Sequence, residues 1–170
     1  MNEGFVNKVA ESGMVTIDLE KLFPASPIVE FDIQPFLFMN LILKEKDFRQ
    51  SLKALDVSVY ANKIVAVHCS VDAIIPMWAY MLIASMLQPV ATQVVKGTEK
   101  EVMNKLLIEK IKGIDAEQYI DQRVVVKGCG ELPIPEEAYL EITNILRPVA
   151  KSIMFGEPCS TVPVYKKPKD

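Results

Sequence analysis

Short runs of valine and isoleucine recur along this chain at about the thirty-residue spacing of one strand-helix unit, and that rhythm constrains the fold more than any other feature. Ile64-Val65-Ala66-Val67, Gln93-Val94-Val95-Lys96 and Arg123-Val124-Val125-Val126-Lys127 are short, β-branched and bounded by turn residues, and read as strands. Between them the apolar period becomes that of a helix. One helix begins after Asp72 and is apolar nearly all round, Ile75, Trp78, Leu82 and Met86 included, so it must be covered on more than one side. A second follows Thr98, which forms a capping-box pattern with Glu101, and carries Val102, Leu106, Leu107 and Ile111 before Gly113. A third follows Pro133 and Pro135, turns Ala138, Ile142 and Ile145 inward, and ends or kinks at Pro148. Upstream, Phe48, Leu52 and Leu55 share one face of a helix over 47–55, and Glu45 is spaced to pair with Arg49. Ser152-Ile153-Met154-Phe155 fits a fourth strand, while Val149 and Ile153 also fit an extension of the preceding helical stripe.

Strand followed by helix, repeated, builds a parallel sheet. The expected fold is therefore α/β: a single domain over 1–165, with a mostly parallel sheet, helices on both faces and a solvated tail at 166–170. The alternation Val29-Glu30-Phe31-Asp32-Ile33 and the shorter Val15-Thr16-Ile17 predict a peripheral N-terminal strand pair. Val94-Val95-Lys96-Gly97 and Val125-Val126-Lys127-Gly128 match each other, but so few residue types recur by chance, and they read as similar strand exits.

Composition excludes several classes. At 170 residues and 50% hydrophobic, the chain is long enough to bury a substantial core without disulfide staples. Its net charge is -3, and no basic cluster is longer than Lys166-Lys167-Pro168-Lys169, so a nucleic-acid footprint is not expected. Glu3 stands where a signal peptide would be basic, and no apolar segment follows. Ala73 to Val95 lacks charge, but Pro76, Gln88, Pro89 and Gln93 divide it, so no membrane span is expected either. These features predict a cytoplasmic protein. There is no Gly-rich dinucleotide fingerprint and no phosphate loop.

The chemistry rests on three cysteines, which in a reducing compartment are thiols, ligands or catalytic groups rather than bridges. Cys69, Cys129 and Cys159 follow the first, third and fourth of the strands after residue 63. In an open parallel sheet the functional crevice lies beyond the carboxyl ends of the strands. A strand order of 2-1-3-4 would set the strands ending at Cys69 and Cys129 side by side, with the Cys159 strand next, about 4.8 Å apart. Soft thiolates with a fourth ligand from His68, Asp72 or Glu157 would suit zinc, or an iron-sulfur cluster held by three cysteines. His68 fits that set least well, because successive strand residues face opposite ways. Two other readings stand beside this one. The thiols could be buried structural residues of a non-enzymatic oligomeric scaffold. Alternatively Cys69 or Cys129, each just before a helix N-terminus, could be a nucleophile; the weakness is that the only histidine, His68, is adjacent to Cys69 in sequence. Trp78 and Tyr80 read as core or subunit-interface residues, and Glu131, Glu136 and Glu137 as charges favoured by a helix N-terminus. The all-round apolar helix and the methionines leave room for a homodimer interface.

Ile42-Leu43-Lys44-Glu45-Lys46-Asp47-Phe48-Arg49, Asp72-Ala73-Ile74-Ile75-Pro76-Met77-Trp78-Ala79-Tyr80-Met81, Val126-Lys127-Gly128-Cys129-Gly130 and Gly156-Glu157-Pro158-Cys159-Ser160-Thr161-Val162-Pro163 closely resemble the family catalogued as Domain of Unknown Function 2480. The resemblance covers nearly the whole chain. It implies a cytoplasmic bacterial protein of the Bacteroidota, often encoded near iron-sulfur assembly components, which would then be its partners, and it implies no activity. The family pattern has cysteines matching Cys69, Cys129 and Cys159 and no matching histidine at His68. The resulting expectation is a metal or iron-sulfur-related site of Cys69, Cys129 and Cys159, with Asp72 and Glu157 as further ligands, in an accessory of cluster or metal handling.

Overall fold

The computed structural model describes residues 13–128, 130–157 and 159–168. The elements run β1 Met14–Asp18, β2 Ile28–Asp32, α1 Glu45–Ala54, β3 Ile64–His68, α2 Met77–Leu87, β4 Gln93–Lys96, α3 Glu99–Lys112, β5 Arg123–Lys127, α4 Glu136–Leu146, β6 Ser152–Glu157 and β7 Ser160–Lys166. The expected α/β class with mostly parallel strands is present, divided between two sheets. One has the order β2-β3-β4, all parallel; the other has the order β1-β5-β6-β7, parallel except for the β6-β7 hairpin. The residues group into two compact units. A continuous unit spans Pro24–Met103, and a split unit combines the chain up to Phe23 with the chain from Asn104 onward.

Two expectations are corrected by this topology. The order 2-1-3-4 does not occur, because β3 lies between β2 and β4 while β5 lies between β1 and β6. Nor do the N-terminal strands pair with each other. Each adds in parallel to a central Val-rich strand, β1 to β5 with Asp18 opposite Lys127, and β2 to β3 with Asp32 opposite His68. The physical reason is that a fully buried strand needs hydrogen-bonding partners on both edges. β3 and β5 are buried almost throughout and have one following strand each; the N-terminal strands supply the second edge. Ser152–Glu157 is a strand, with Ile153 opposite Val124. β7 escapes sequence reading because Pro163 interrupts its Val-rich run; proline is tolerated there because the strand is at an edge.

Each unit has its own core on the helix-bearing face of its sheet. In the continuous unit, Phe48 and Leu52 of α1 and Ala79, Ile83 and Leu87 of α2 pack with Phe31, Val65 and Val67. In the split unit, Leu107, Ile108 and Ile111 of α3 and Ala138, Ile142 and Leu146 of α4 pack with Ile17, Val124, Val126 and Ile153. Both helices of each unit thus join one cluster. Ile64, Ala66 and Val125, on the opposite faces, are buried as well, which accounts for unbroken rather than alternating Val/Ile runs. The capping box forms as expected: Thr98 N–H donates to Glu101 Oε2 at 2.8 Å, and Glu101 N–H donates to Thr98 Oγ1 at 3.4 Å. Replacing Thr98 by Ala is expected to cost about 0.5–2 kcal/mol, read as a lower urea midpoint at unchanged slope.

From α1 to β4 the continuous unit is matched without a gap by the split unit, each residue's counterpart lying 59 positions on, as Pro76 does to Pro135, whereas β2 and β1 play the same part outside that register. The register matches Asp56 to Asp115, Tyr60 to Tyr119, Ala79-Tyr80 to Ala138-Tyr139, Ile83 to Ile142, Leu87 to Leu146, Pro89-Val90-Ala91 to Pro148-Val149-Ala150 and Gly97 to Gly156. The backbone follows. Asn62 and Asp121 both take a left-handed conformation (φ 58° and 54°), which short polar side chains tolerate. Their N–H groups donate to Val90 O and Val149 O, each at 2.9 Å. Asp32 and Asp18, ending β2 and β1, each accept from the N–H two residues on. The Val-Val-Lys-Gly match noted in the sequence belongs to a different register and is not this repeat.

Candidate functional site

The carboxyl ends of β1, β5 and β6 bring three charges together in the split unit. Lys127 Nζ lies 3.4 Å from Asp18 Oδ2 and 3.6 Å from Glu157 Oε1. The Asp18 carboxylate, and after it Glu157, hold the Lys127 ammonium above the usual lysine range. The chain after β5 is tied to this edge from two sides. The Tyr139 hydroxyl donates to the Gly128 carbonyl at 3.3 Å, and Leu132 N–H donates to Glu20 Oε1 at 2.8 Å. Gly128 and Gly130 are crowded by side chains that would have to shift to admit a larger residue. A Cβ on Gly128 would lie 3.0 Å from Ile134 Cγ1 as well as against the Tyr139 hydroxyl, and one on Gly130 would overlap the Glu20 carboxylate.

The continuous unit repeats the arrangement with other side chains. Asp32 ends β2 and accepts from Ser70 Oγ at 2.6 Å, Gln34 N–H at 2.9 Å and Ser70 N–H at 3.0 Å. Burial pushes this carboxyl up, but the Ser70 hydroxyl and the Gln34 and Ser70 amides, aided by His68, outweigh it and leave the group below its ordinary value. His68 stands where Lys127 stands, with Nε2 3.5 Å from Glu30 Oε1 and no hydrogen-bond partner for that nitrogen. Glu30 is itself engaged by the Glu99 N–H at 3.0 Å. A carboxyl whose folded pKa is depressed contributes stability that is complete above its unfolded value, about 3.9, and is lost as pH falls through the folded value. Ser70→Ala removes the strongest of the lowering interactions, so the acid-unfolding midpoint followed by Trp78 fluorescence is expected to move to higher pH.

The five expected ligands divide between the units. Cys69 follows β3, is half-buried and packs against the core of the continuous unit; Asp72 is exposed in the chain leading to α2. Glu157 ends β6 and faces Lys127, and Cys159 is exposed in the β6-β7 turn. Cys129 lies outside the described residues. Cys69 therefore follows a strand of one sheet, while Cys129 and Cys159 follow β5 and β6, adjacent and parallel with Val126 opposite Phe155. Among the described residues no group of three His, Cys, Asp or Glu side chains is placed to hold a metal ion.

Sequence reasoning passed over Asp18, Glu20, Lys127 and Tyr139. The available signal was a likeness of strand ends, since both N-terminal strands end in Asp and both central strands, which the repeat relates, end in a basic residue. Glu136 and Glu137 lie in the first turn of α4, as expected for charges favoured by a helix N-terminus. Trp78 lies against Phe48 in the core of the continuous unit. Among the described residues no helix is long and apolar enough to cross a membrane. Residues 3–167 match a family model described as a protein of unknown function, DUF2480. No curated protein and no solved structure matches the chain.

Proposed function

The chain belongs to the DUF2480 family, and from that premise we propose that it binds a thiophilic ion of the zinc or iron class at the edge where β5 and β6 end, as an accessory of metal or iron-sulfur handling. Cys129 and Cys159 are the thiolate donors and Glu157 the oxygen donor. One observation carries this reading: the strands that lead to the two cysteines are neighbours in register, and neighbouring strands run about 4.8 Å apart. Thiolates carried just beyond neighbouring strand ends are within reach of one ion with metal-sulfur bonds of about 2.3 Å. The donor set is soft, which favours zinc or iron over magnesium or calcium. Three protein donors leave a coordination position open, as handing an ion on requires. Cys69 takes no part in this reading, since it packs with the core of the other unit.

The reading is tested on protein purified without oxygen and without a histidine tag, by elemental analysis and by titration with cobalt(II), whose thiolate bonds absorb in the near ultraviolet. The wild type and Cys69→Ser are expected to bind stoichiometrically and Cys129→Ser and Cys159→Ser to lose binding, with affinity falling in acid as protons compete for the thiolates. Glu157→Gln should weaken binding less than either cysteine variant. No zinc or iron in the wild type, or equal loss in all three cysteine variants, would overturn it.

A further inference from the structure

Strand β4 is an edge of the continuous unit's sheet, with no strand beyond it among the described residues. Its counterpart in the repeat, β6, carries the antiparallel β7 on its outer edge, so the two units differ there by one strand. Tyr165 of β7 lies opposite Ile153, with its ring centroid 3.7 Å from Arg147 Cζ, and it packs on the core of the split unit. The corresponding residues of the continuous unit are Val94, which keeps the apolar support, and Gln88, an uncharged amide in place of the guanidinium. There these two residues, with Ala84 and Ser85, line a cavity of about 580 Å³. The cavity lies beside the two positions that correspond to Ile153 and Arg147, the neighbours of Tyr165 in the other repeat.

We propose that the β4 edge takes up an extended antiparallel segment of a partner protein, with an aromatic side chain seated in this cavity and a carboxylate opposite Lys96. The backbone of the segment is recognised by the amide and carbonyl groups that any edge strand leaves unpaired. The aromatic preference follows from the repeat, where the residues at the corresponding positions, Ile153 and Arg147, hold a tyrosine. The acidic requirement follows from the one change of charge along the strand, since Lys96 replaces Phe155, the residue that faces Val162 of β7. A second copy of β4 does not meet these requirements. Self-pairing would offer Gln93, Val94, Val95 and Lys96, with no ring for the cavity and no acid for the lysine. The β7 edge is blunted by Pro163, whereas β4 contains no proline. The thiols have no part in this surface, so its test is independent of the metal reading.

The probe is the synthetic peptide acetyl-Ser-Thr-Glu-Pro-Val-Tyr-Lys-amide, which follows β7 with glutamate in place of the valine that would face Lys96. It is titrated into the full chain with amide chemical shifts as the readout. Saturable binding is expected, with shifts concentrated at Gln93 to Lys96 and α2. The peptide with alanine for tyrosine should bind at least about tenfold more weakly, a difference of ~1.4 kcal/mol. Lys96→Glu should reverse the preference between the glutamate peptide and one with lysine at that position. Ala84→Trp, which fills the cavity from within, should abolish binding; if that variant does not fold, the two peptides compared on the wild type decide the matter. The proposal is overturned by the absence of saturable binding, by equal affinity of the tyrosine and alanine peptides, by shifts confined to β6 through exchange with β7, or by β4 shifts that depend on protein concentration alone.

Discussion

Phe48→Ala is expected to be the most damaging single substitution in the continuous unit, lowering stability by about 3–5 kcal/mol. Phe48 has no exposed surface and meets Phe36 edge to face at 5.4 Å and Trp78 at 6.1 Å, so the truncation removes one member of a ring cluster that neighbours cannot refill. A loss of that size is a large share of the roughly 5–15 kcal/mol that holds an ordinary domain together. Trp78 is the only tryptophan of the chain, so its emission reports on the same cluster. The expected result is a red-shifted native spectrum and a urea midpoint well below that of the wild type. A wild-type midpoint would mean that the ring cluster contributes no more than loose surface contacts.

Gly156→Ala is the second. Gly156 sits at φ 118°, a conformation that side-chain-bearing residues rarely adopt, and a Cβ there would stand 2.6 Å from the Ser160 carbonyl oxygen. Backbone strain of this kind costs about 1–3 kcal/mol, and relieving the overlap costs about 1–3 kcal/mol more because the obstructing atom belongs to the backbone of the same hairpin. The expected structural result is a shifted β6-β7 pairing, with Tyr165 displaced from Arg147. Hydrogen exchange should then quicken along β7 first. The repeat supplies a comparison: at Gly97 the added Cβ would lie 3.1 Å from Glu101 Cβ and 3.3 Å from the Glu101 Oε2 of the capping box, a milder crowding that a shift of a few tenths of an ångström relieves. Gly97→Ala should therefore cost the backbone strain and a small disturbance of the cap, less in total than Gly156→Ala. Equal losses at the two positions would show that the overlap in the hairpin costs no more than the milder crowding at Gly97.

Local periodicity made the elements legible, and its failures have identifiable causes. The helices after Pro76, Thr98 and Pro135 and the strands at Ile64, Gln93 and Arg123 follow directly from the spacing of apolar residues and from their caps. Partnership between strands was not legible, because nothing in Val15-Thr16-Ile17 says that its neighbour is Val124-Val125-Val126, far along the chain. Sequence proximity suggested a pair of N-terminal strands where hydrogen-bonding demand set two separate additions. The strand-order argument for grouping the cysteines likewise assumed one sheet where there are two. With β3 and β5 in different sheets, strand order relates Cys129 to Cys159 and says nothing of Cys69. The repeat was present in the sequence throughout. It was obscured by a four-residue match in the wrong register, whereas the informative signal was the sparse series of prolines, tyrosines and small residues in corresponding turns and helix starts.

The route of the chain through the split unit bears on how it is made. Met14 is matched with Arg123, so β1 leaves the ribosome long before the strand that completes it, and the whole of Pro24–Met103 is synthesised in between. Contacts so remote in sequence are slow to form. Domains tend to fold as they emerge, so the later-born segment has time to acquire its own core while β1 waits with open edges. Until Lys127 has cleared the exit tunnel, those residues are the part of the nascent polypeptide most in need of a chaperone's shelter.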